Sequence, residues 1–393
     1  MPARLARLCL LVGALSGGPA PAQEAGVRLS PVRGPDTAIP AEQAEAYLAG
    51  AQPMQAILSQ TAGEGPVPVP DSGPMQATRA NPGRPVRAMI DEADLRPAAP
   101  SRRPAVQELP APALAGTPYQ ASVTRLFPGP IYAPYRAVGL LVFTASDGRD
   151  YWCHAALIER AILLTAGHCV FQGGSGSDRG FNTTGYFYPG YSAAEVGSRR
   201  FGRCRVTLWA TTEGWYRHGI LNRGEDIGLA LCDRVEGARW TYVNNWLPGE
   251  RLGYLGFCYS GCRQGFQLLT QPFYEPGASG GGEMHLSRHL AIAGQPVPGA
   301  AGAMGRDLVF GSLSGPGGGG APQLAATGLP EDGGQAVVVA VTSWVLAGAE
   351  GGGIRGASAL SGVADGTDFA ALYNAMCRAS RRVHGTASCR PLR

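Results

Sequence analysis

Short apolar runs recur along the last two thirds of the chain, each closed by a cluster of turn residues. Positions 137–143 are apolar throughout apart from one glycine, which predicts a strand covered on both faces. Asp147-Gly148 supplies a hairpin turn. A second apolar run covers 151–158 and a third covers 161–165. Further short strands, separated by Gly, Pro, Asn and Asp clusters, continue to the end of this region. Such spacing describes an all-β barrel or sandwich. Only near the end does the period change. Phe369, Leu372, Tyr373 and Met376 fall at helical spacing and predict a helix over 368–378.

The first third is patterned differently. Arg4 and Arg7 precede an apolar run over 8–15, and Ala20-Pro21-Ala22 fits a small-residue cleavage site. Residues 1–22 are therefore expected to be a secretory signal peptide; the run is too short to cross a bilayer. Residues 23–125 are rich in proline, alanine and polar side chains, with short helical patterns such as 41–58. They are expected to be a propeptide or disordered linker. The folded domain is expected over 126–393, in a secreted or periplasmic protein.

Composition sharpens this picture. Charged residues are 16% of the chain while 58 positions are glycine, which favours tight turns over long helices. A net charge of +4 is small for this length and points to neither a nucleic-acid nor a membrane partner. There are nine cysteines. Cys9 leaves with the leader, and the even number that remains predicts disulfides in an oxidising compartment.

The stretch Leu163-Leu164-Thr165-Ala166-Gly167-His168-Cys169-Val170 carries the chemistry. An apolar strand enters a small-residue turn that presents one histidine flanked by a cysteine. An imidazole held this way at the rim of a cleft suits a general base. Here the chain resembles the trypsin-like (chymotrypsin-fold) serine proteases, above all their secreted bacterial branch, over roughly residues 130–380. The resemblance implies two six-stranded antiparallel β-barrels with a C-terminal helix. It also implies peptide or protein substrates, no cofactor and no metal. His168 takes the general-base role. Asp226, heading the apolar strand Ile227-Gly228-Leu229-Ala230-Leu231, takes the role of the carboxylate that orients it. The family bridges the positions of Cys153 and Cys169. Cys377–Cys389 and Cys258–Cys262 are paired by proximity, which leaves Cys204–Cys232.

The nucleophile does not follow so simply. Gly277-Ala278-Ser279-Gly280 looks like the family's nucleophile loop. Yet Ser279 stands too close to Asp226 for the strands that must intervene. It also stands too far from Ser343-Trp344, the family's substrate-binding strand. A second register begins at strand 308–313 and runs through Ser314-Gly315-Pro316-Gly317-Gly318-Gly319-Gly320-Ala321-Pro322. The strand ending in Val341-Thr342-Ser343-Trp344 follows at the family's distance. Matching Pro322 to the family's proline puts Gly319 where the nucleophilic serine belongs. Gly317 and Gly319 would then supply the oxyanion-hole N–H groups. A glycine offers no nucleophile, so the resemblance implies a weakly active or inactive homologue. The alternative is an active endopeptidase using Ser279, or Ser314 from a shifted loop, with His168 and Asp226.

Leu313 falls at the base of the expected specificity pocket, which favours a medium apolar side chain. Ser343 and Trp344 are expected to pair with the substrate backbone as an added strand. Gly318 stands where the trypsin-type activation switch needs an aspartate, so that switch cannot operate. His285 and His289, four apart, have no acidic partner at metal-site spacing and are expected in a solvated stretch. Asn182-Thr183-Thr184 is a glycosylation sequon in form only. Arg378, Arg381, Arg382, Arg390 and Arg393 are expected to form a solvated basic tail.

Overall fold

The computed structural model describes residues 27–32, 47, 50–54, 56–58, 106–108, 121–126, 135–191, 203–232, 255–257, 266–275, 283–293, 307–312, 318–326, 336–346, 353–360, 367–385 and 388–392. Five strands precede the first long apolar run: β1 (Val27–Pro31), β2 (Gln52–Pro53), β3 (Ala56–Leu58), β4 (Val106–Glu108) and β5 (Ala121–Leu126). Then come β6 (Val138–Thr144), β7 (Asp150–Leu157), β8 (Ile162–Thr165), β9 (Thr184–Pro189), β10 (Cys204–Thr212), the short helix α1 (Glu213–His218) and β11 (Gly228–Cys232). The second half holds β12 (Gly256–Phe257), β13 (Phe266–Glu275), β14 (Glu283–Ala293), β15 (Asp307–Ser312), β16 (Pro322–Ala326), β17 (Ala336–Leu346) and β18 (Gly353–Ala359), followed by α2 (Thr367–His384).

Two barrels emerge from the pairing. Strands β10-β11-β8-β7-β6-β9 lie side by side, and a β10–β9 pairing closes the ring. Strands β13-β16-β17-β18-β15-β14 do the same, closed by β13–β14. Every pairing within either ring is antiparallel. These are the two six-stranded antiparallel barrels that the resemblance implies. Closure is partial: β10 meets β9 only at Cys204 and Arg205, and the remaining edges are covered by strands from the first third of the chain.

The strands lie where the apolar runs put them. The 138–144 run is buried along almost its whole length, and Gly148, with φ of 81°, turns the hairpin into β7. In the first core Trp209 is fully buried and meets Phe143 edge-on, ring centroids 6.4 Å apart. A Cβ on Gly185 would come within 2.5 Å of that indole, so only glycine leaves room for it. The second core gathers Leu269, Leu308, Phe310, Val337, Val339 and Ala357. Truncating a buried aromatic such as Trp209 or Phe310 to alanine costs about 3–5 kcal/mol.

The structure departs from expectation at three places. The helix α2 runs six residues past the predicted end, stopping where Gly385 adopts φ of 85° and its N–H bonds to Arg381 O at 3.0 Å. That is a glycine stop at a helix C-terminus, and the basic last turn suits the negative end of the helix. Of the basic tail, Arg378, Arg382 and Arg390 are exposed as expected, Arg381 is half-buried, and Arg393 lies outside the described residues. Second, His285 and His289 are not solvated: both are buried on β14, together with Ser287. Alternate residues of a strand share one face, and this face looks into the barrel. Third, the end of the 41–58 pattern is extended as β2 and β3. Pro53 has no N–H to give a helix.

The stretch 23–125 also contributes strands. β1 pairs antiparallel with β10 along its full length, from Val27 opposite Thr212 to Pro31 opposite Leu208. β4 pairs with β5, and β5 with β14. Disulfides join Cys153–Cys169, Cys204–Cys232 and Cys377–Cys389. Cys258 and Cys262 lie outside the described residues.

Candidate active site

Strand β8 ends at Thr165, and a single 3-10 turn, Gly167–Cys169, presents His168. The turn is pinned from several sides. Cys169 is bonded to Cys153 on β7. The buried Asn182 donates from Nδ2 to Cys169 O at 2.8 Å, a packed role that leaves no space for a glycan. A Cβ on Gly167 would come within 2.7 Å of the Trp215 ring and 2.8 Å of Asp226 Oδ1. Glycine there lets the turn press against both.

Asp226 sits just ahead of β11 and is fully buried. Its Oδ1 accepts the His168 backbone N–H at 2.7 Å, and its Oδ2 lies 2.8 Å from His168 Nδ1. Oδ2 also accepts the Ser343 hydroxyl at 2.5 Å. Three donors thus replace the water that a buried carboxylate loses. The carboxylate needs a proton on Nδ1, which leaves the lone pair of Nε2 pointing away from it. His168 is 8% exposed, and Nε2 has no hydrogen-bond partner among the described residues.

A glycine turn at 318–320 faces that nitrogen. The N–H of Gly320 bonds to Thr342 O at 2.8 Å, and Gly319 O accepts the N–H of His154 at 2.8 Å. The turn is thereby tied to β17 in one barrel and β7 in the other. Gly320 has φ of 77°. A Cβ on it would fall 2.2 Å from His154 O and 2.3 Å from Thr165 Oγ1. An ideal Cβ on Gly319 would stand 2.6 Å from His168 Nε2 and 2.7 Å from the carbonyl oxygen of Met54.

The role of Ser343 is richer than the sequence suggests. It is the extra residue of a bulge between Thr342 and Trp344, where the register against β18 slips. A bulge re-aims a side chain, and here its hydroxyl reaches Asp226. Trp344 is fully buried under the Arg223 guanidinium, which lies 5.6 Å from its ring. The backbone of Trp344, Val345 and Leu346 pairs in parallel with β3. Sequence reasoning missed this involvement of 51–58; Pro53, which blocks a helix, was its only local signal.

The structure thus brings His168, Asp226, Gly319 and Ser343 together, with Trp344 beside them. Ser279, Ser314, Leu313 and Gly317 lie outside the described residues. His285 and His289 belong to the second barrel. His289 Nε2 pairs with Gln323 Oε1 at 2.9 Å, its ring stacks on Phe310, and burial lowers its pKa to about 3. Chemically, the His168–Asp226 pair has the geometry of a histidine oriented by a carboxylate, with Nε2 turned toward residue 319. Residue 319 has no side-chain proton to give.

No protein-family model matches the chain, and no curated protein matches it in sequence. Solved structures do. A Glu endopeptidase in complex with MPD is similar at TM-score 0.42 and 16% identity, over 64% of this chain and 94% of that one. HL collagenase is similar at TM-score 0.36 and 19% identity, over 57% and 88%. GrC is similar at TM-score 0.39 and 10% identity, over 59% and 93%.

Proposed function

We propose that this chain is a secreted, trypsin-like serine protease homologue whose inter-barrel cleft binds extended peptide or protein segments and hydrolyses them weakly or not at all. One observation carries the reading: the residue facing His168 Nε2 is Gly319. Covalent catalysis of this type needs a hydroxyl or thiol beside the base, and glycine has neither. What remains suits binding. The N–H groups of Gly317 and Gly319 would still polarise a carbonyl. The edge at Ser343 and Trp344 would still accept an added strand. Leu313 would line an apolar pocket. Such a site retains only a slow residual reaction from the hole and from binding.

Residues 1–22 act as the export signal in this reading, residues 23–125 as a pro-segment and 126–393 as the protease-like domain. Three disulfides suit an extracellular or periplasmic setting. Among the described residues no helix is long and apolar enough to cross a membrane.

A fluorophosphonate probe tests the proposal on the purified wild-type chain. The expected result is no covalent adduct. A phosphonylated Ser279 or Ser314, located by peptide mass spectrometry, overturns it and restores an active endopeptidase.

A further inference from the structure

The chain's own residues 51–54 and 56–58 pass from β7 in one barrel to β17 in the other. β2 runs parallel to β7, with Gln52 opposite Tyr151 and Pro53 opposite Trp152. The Met54 N–H donates to Trp152 O at 2.9 Å. β3 then runs parallel to the end of β17, with Ala56, Ile57 and Leu58 opposite Trp344, Val345 and Leu346. Between the two strands the Met54 carbonyl oxygen stands over Gly319. We infer that this segment is a strap that occupies the peptide groove in cis and cannot be cut there, so that any outside peptide must displace it. The inference rests on the reading of the cleft as a peptide-binding groove.

Three features support the assignment. The first is pairing: the strap forms backbone ladders with an edge of each barrel, at the strand expected to receive a ligand and at the facing one. Gln52 and Pro53 are exposed, so backbone hydrogen bonds rather than buried side chains make this part of the contact.

The second is the direction of the Met54 carbonyl. Attack requires the carbonyl carbon to face the nucleophile while the oxygen turns to N–H donors. Met54 instead points its oxygen to within 2.7 Å of the place where a residue-319 Cβ would stand. The strap fills the volume of the missing side chain, and the glycine is what admits it.

The third is anchoring. β1 is a full edge strand on β10, and Arg28 Nη2 donates to Glu213 Oε1 at 2.9 Å. The Tyr47 hydroxyl lies 2.9 Å from Thr144 Oγ1 and 3.2 Å from Thr184 Oγ1, with its ring edge-on to Tyr186. These contacts hold the strap's upstream end on the first barrel. A tethered segment competes at an effective concentration in the millimolar range, so the same sequence added as a free peptide is excluded.

Two measurements on the full-length protein test the strap. Hydrogen exchange should show the 51–58 amides protected in the wild type and deprotected in Met54→Pro, which lacks the donor to Trp152. Ile57→Pro serves as an independent disruption on the other barrel. In parallel, a fluorescein-labelled synthetic peptide of residues 50–60 should bind Met54→Pro or Ile57→Pro at least about tenfold more tightly than wild type. Wild-type amides exchanging at random-coil rates would overturn the strap. Equal peptide affinity for wild type and both variants would also overturn it, while leaving peptide binding by the cleft intact. Protected amides that both variants release, with no peptide bound by any form, would support the strap and overturn the peptide-binding function alone.

Discussion

Gly319 approaches Nε2 of His168 more closely than any residue with a side chain could: its ideal Cβ would lie 2.6 Å from that nitrogen. Gly319→Ala therefore forces the imidazole and the Met54 carbonyl both to give way, or the glycine turn itself to shift. Overpacking of this kind costs about 1–3 kcal/mol, read as a lower midpoint in urea unfolding, and brings no fluorophosphonate labelling. Gly319→Ser should meet the same crowding but gain slow labelling. Combining it with Met54→Pro should raise the labelling rate at least about tenfold by clearing the strap's oxygen from the site. A double variant labelled no faster than the single one contradicts this coupling.

Ser343→Ala removes one of three donors to a fully buried carboxylate. A hydrogen bond to a buried charge is worth about 1.5–3 kcal/mol, so the variant should lose about that much in urea unfolding at pH 7. Ser343→Thr keeps the hydroxyl and should recover part of the loss. A variant within about 0.5 kcal/mol of wild type would mean that the bond to Asp226 contributes nothing.

Acid should act through His289. Its pKa falls from 6.5 to about 3 because burial disfavours the charged ring. The unfolded chain therefore binds the extra proton first. Stability that is complete above about pH 6.5 is lost as pH drops toward 3, by up to about 1.4 kcal/mol per pH unit. His289→Gln keeps a partner for Gln323 and removes the titration, so its stability should fall less steeply with acid.

Glu159 pulls the other way. Burial raises its pKa from 4.5 to about 7, and it accepts the Tyr373 hydroxyl of α2 at 2.8 Å. The folded state holds the proton longer, so stability is complete below about pH 4.5 and is lost as pH rises toward 7. Glu159→Gln should be more stable than wild type at pH 7 and above. Between about pH 4.5 and 6.5 the two slopes oppose each other. Wild-type stability should be nearly flat there, and each single variant should expose the slope of the other group in urea titrations.

Much of this architecture is legible in the sequence because burial writes it locally. The run ending at Thr144 and the one leading to His168 are continuous apolar stretches, and strands enclosed on both faces have to be. Asp226 is legible because an acid at the head of such a strand stands out. Gly319 could be placed only by counting back from Pro322 and forward to Trp344, since glycine carries no chemistry of its own. The strap left no comparable mark. β2 and β3 are two and three residues long, too short for alternation, and their partners lie far along the chain. The burial of His285 and His289 was hidden for a similar reason: Gln323 and Phe310, which receive His289, come from later strands. The bond from Ser343 to Asp226 leaves no mark in the sequence because it depends on a slip in register, and no spacing of residues announces a bulge.

The edge strand β1 and the anchor at Tyr47 also decide what a nick would do. A single cut anywhere between residues 58 and 106 leaves the upstream piece stitched to both barrels. Native mass spectrometry should therefore find one particle, heavier than the intact chain only by the water of hydrolysis, where a denaturing gel finds two bands. Proteolytic trimming in that interval would not by itself bare the groove; the severed piece would first have to peel off β10.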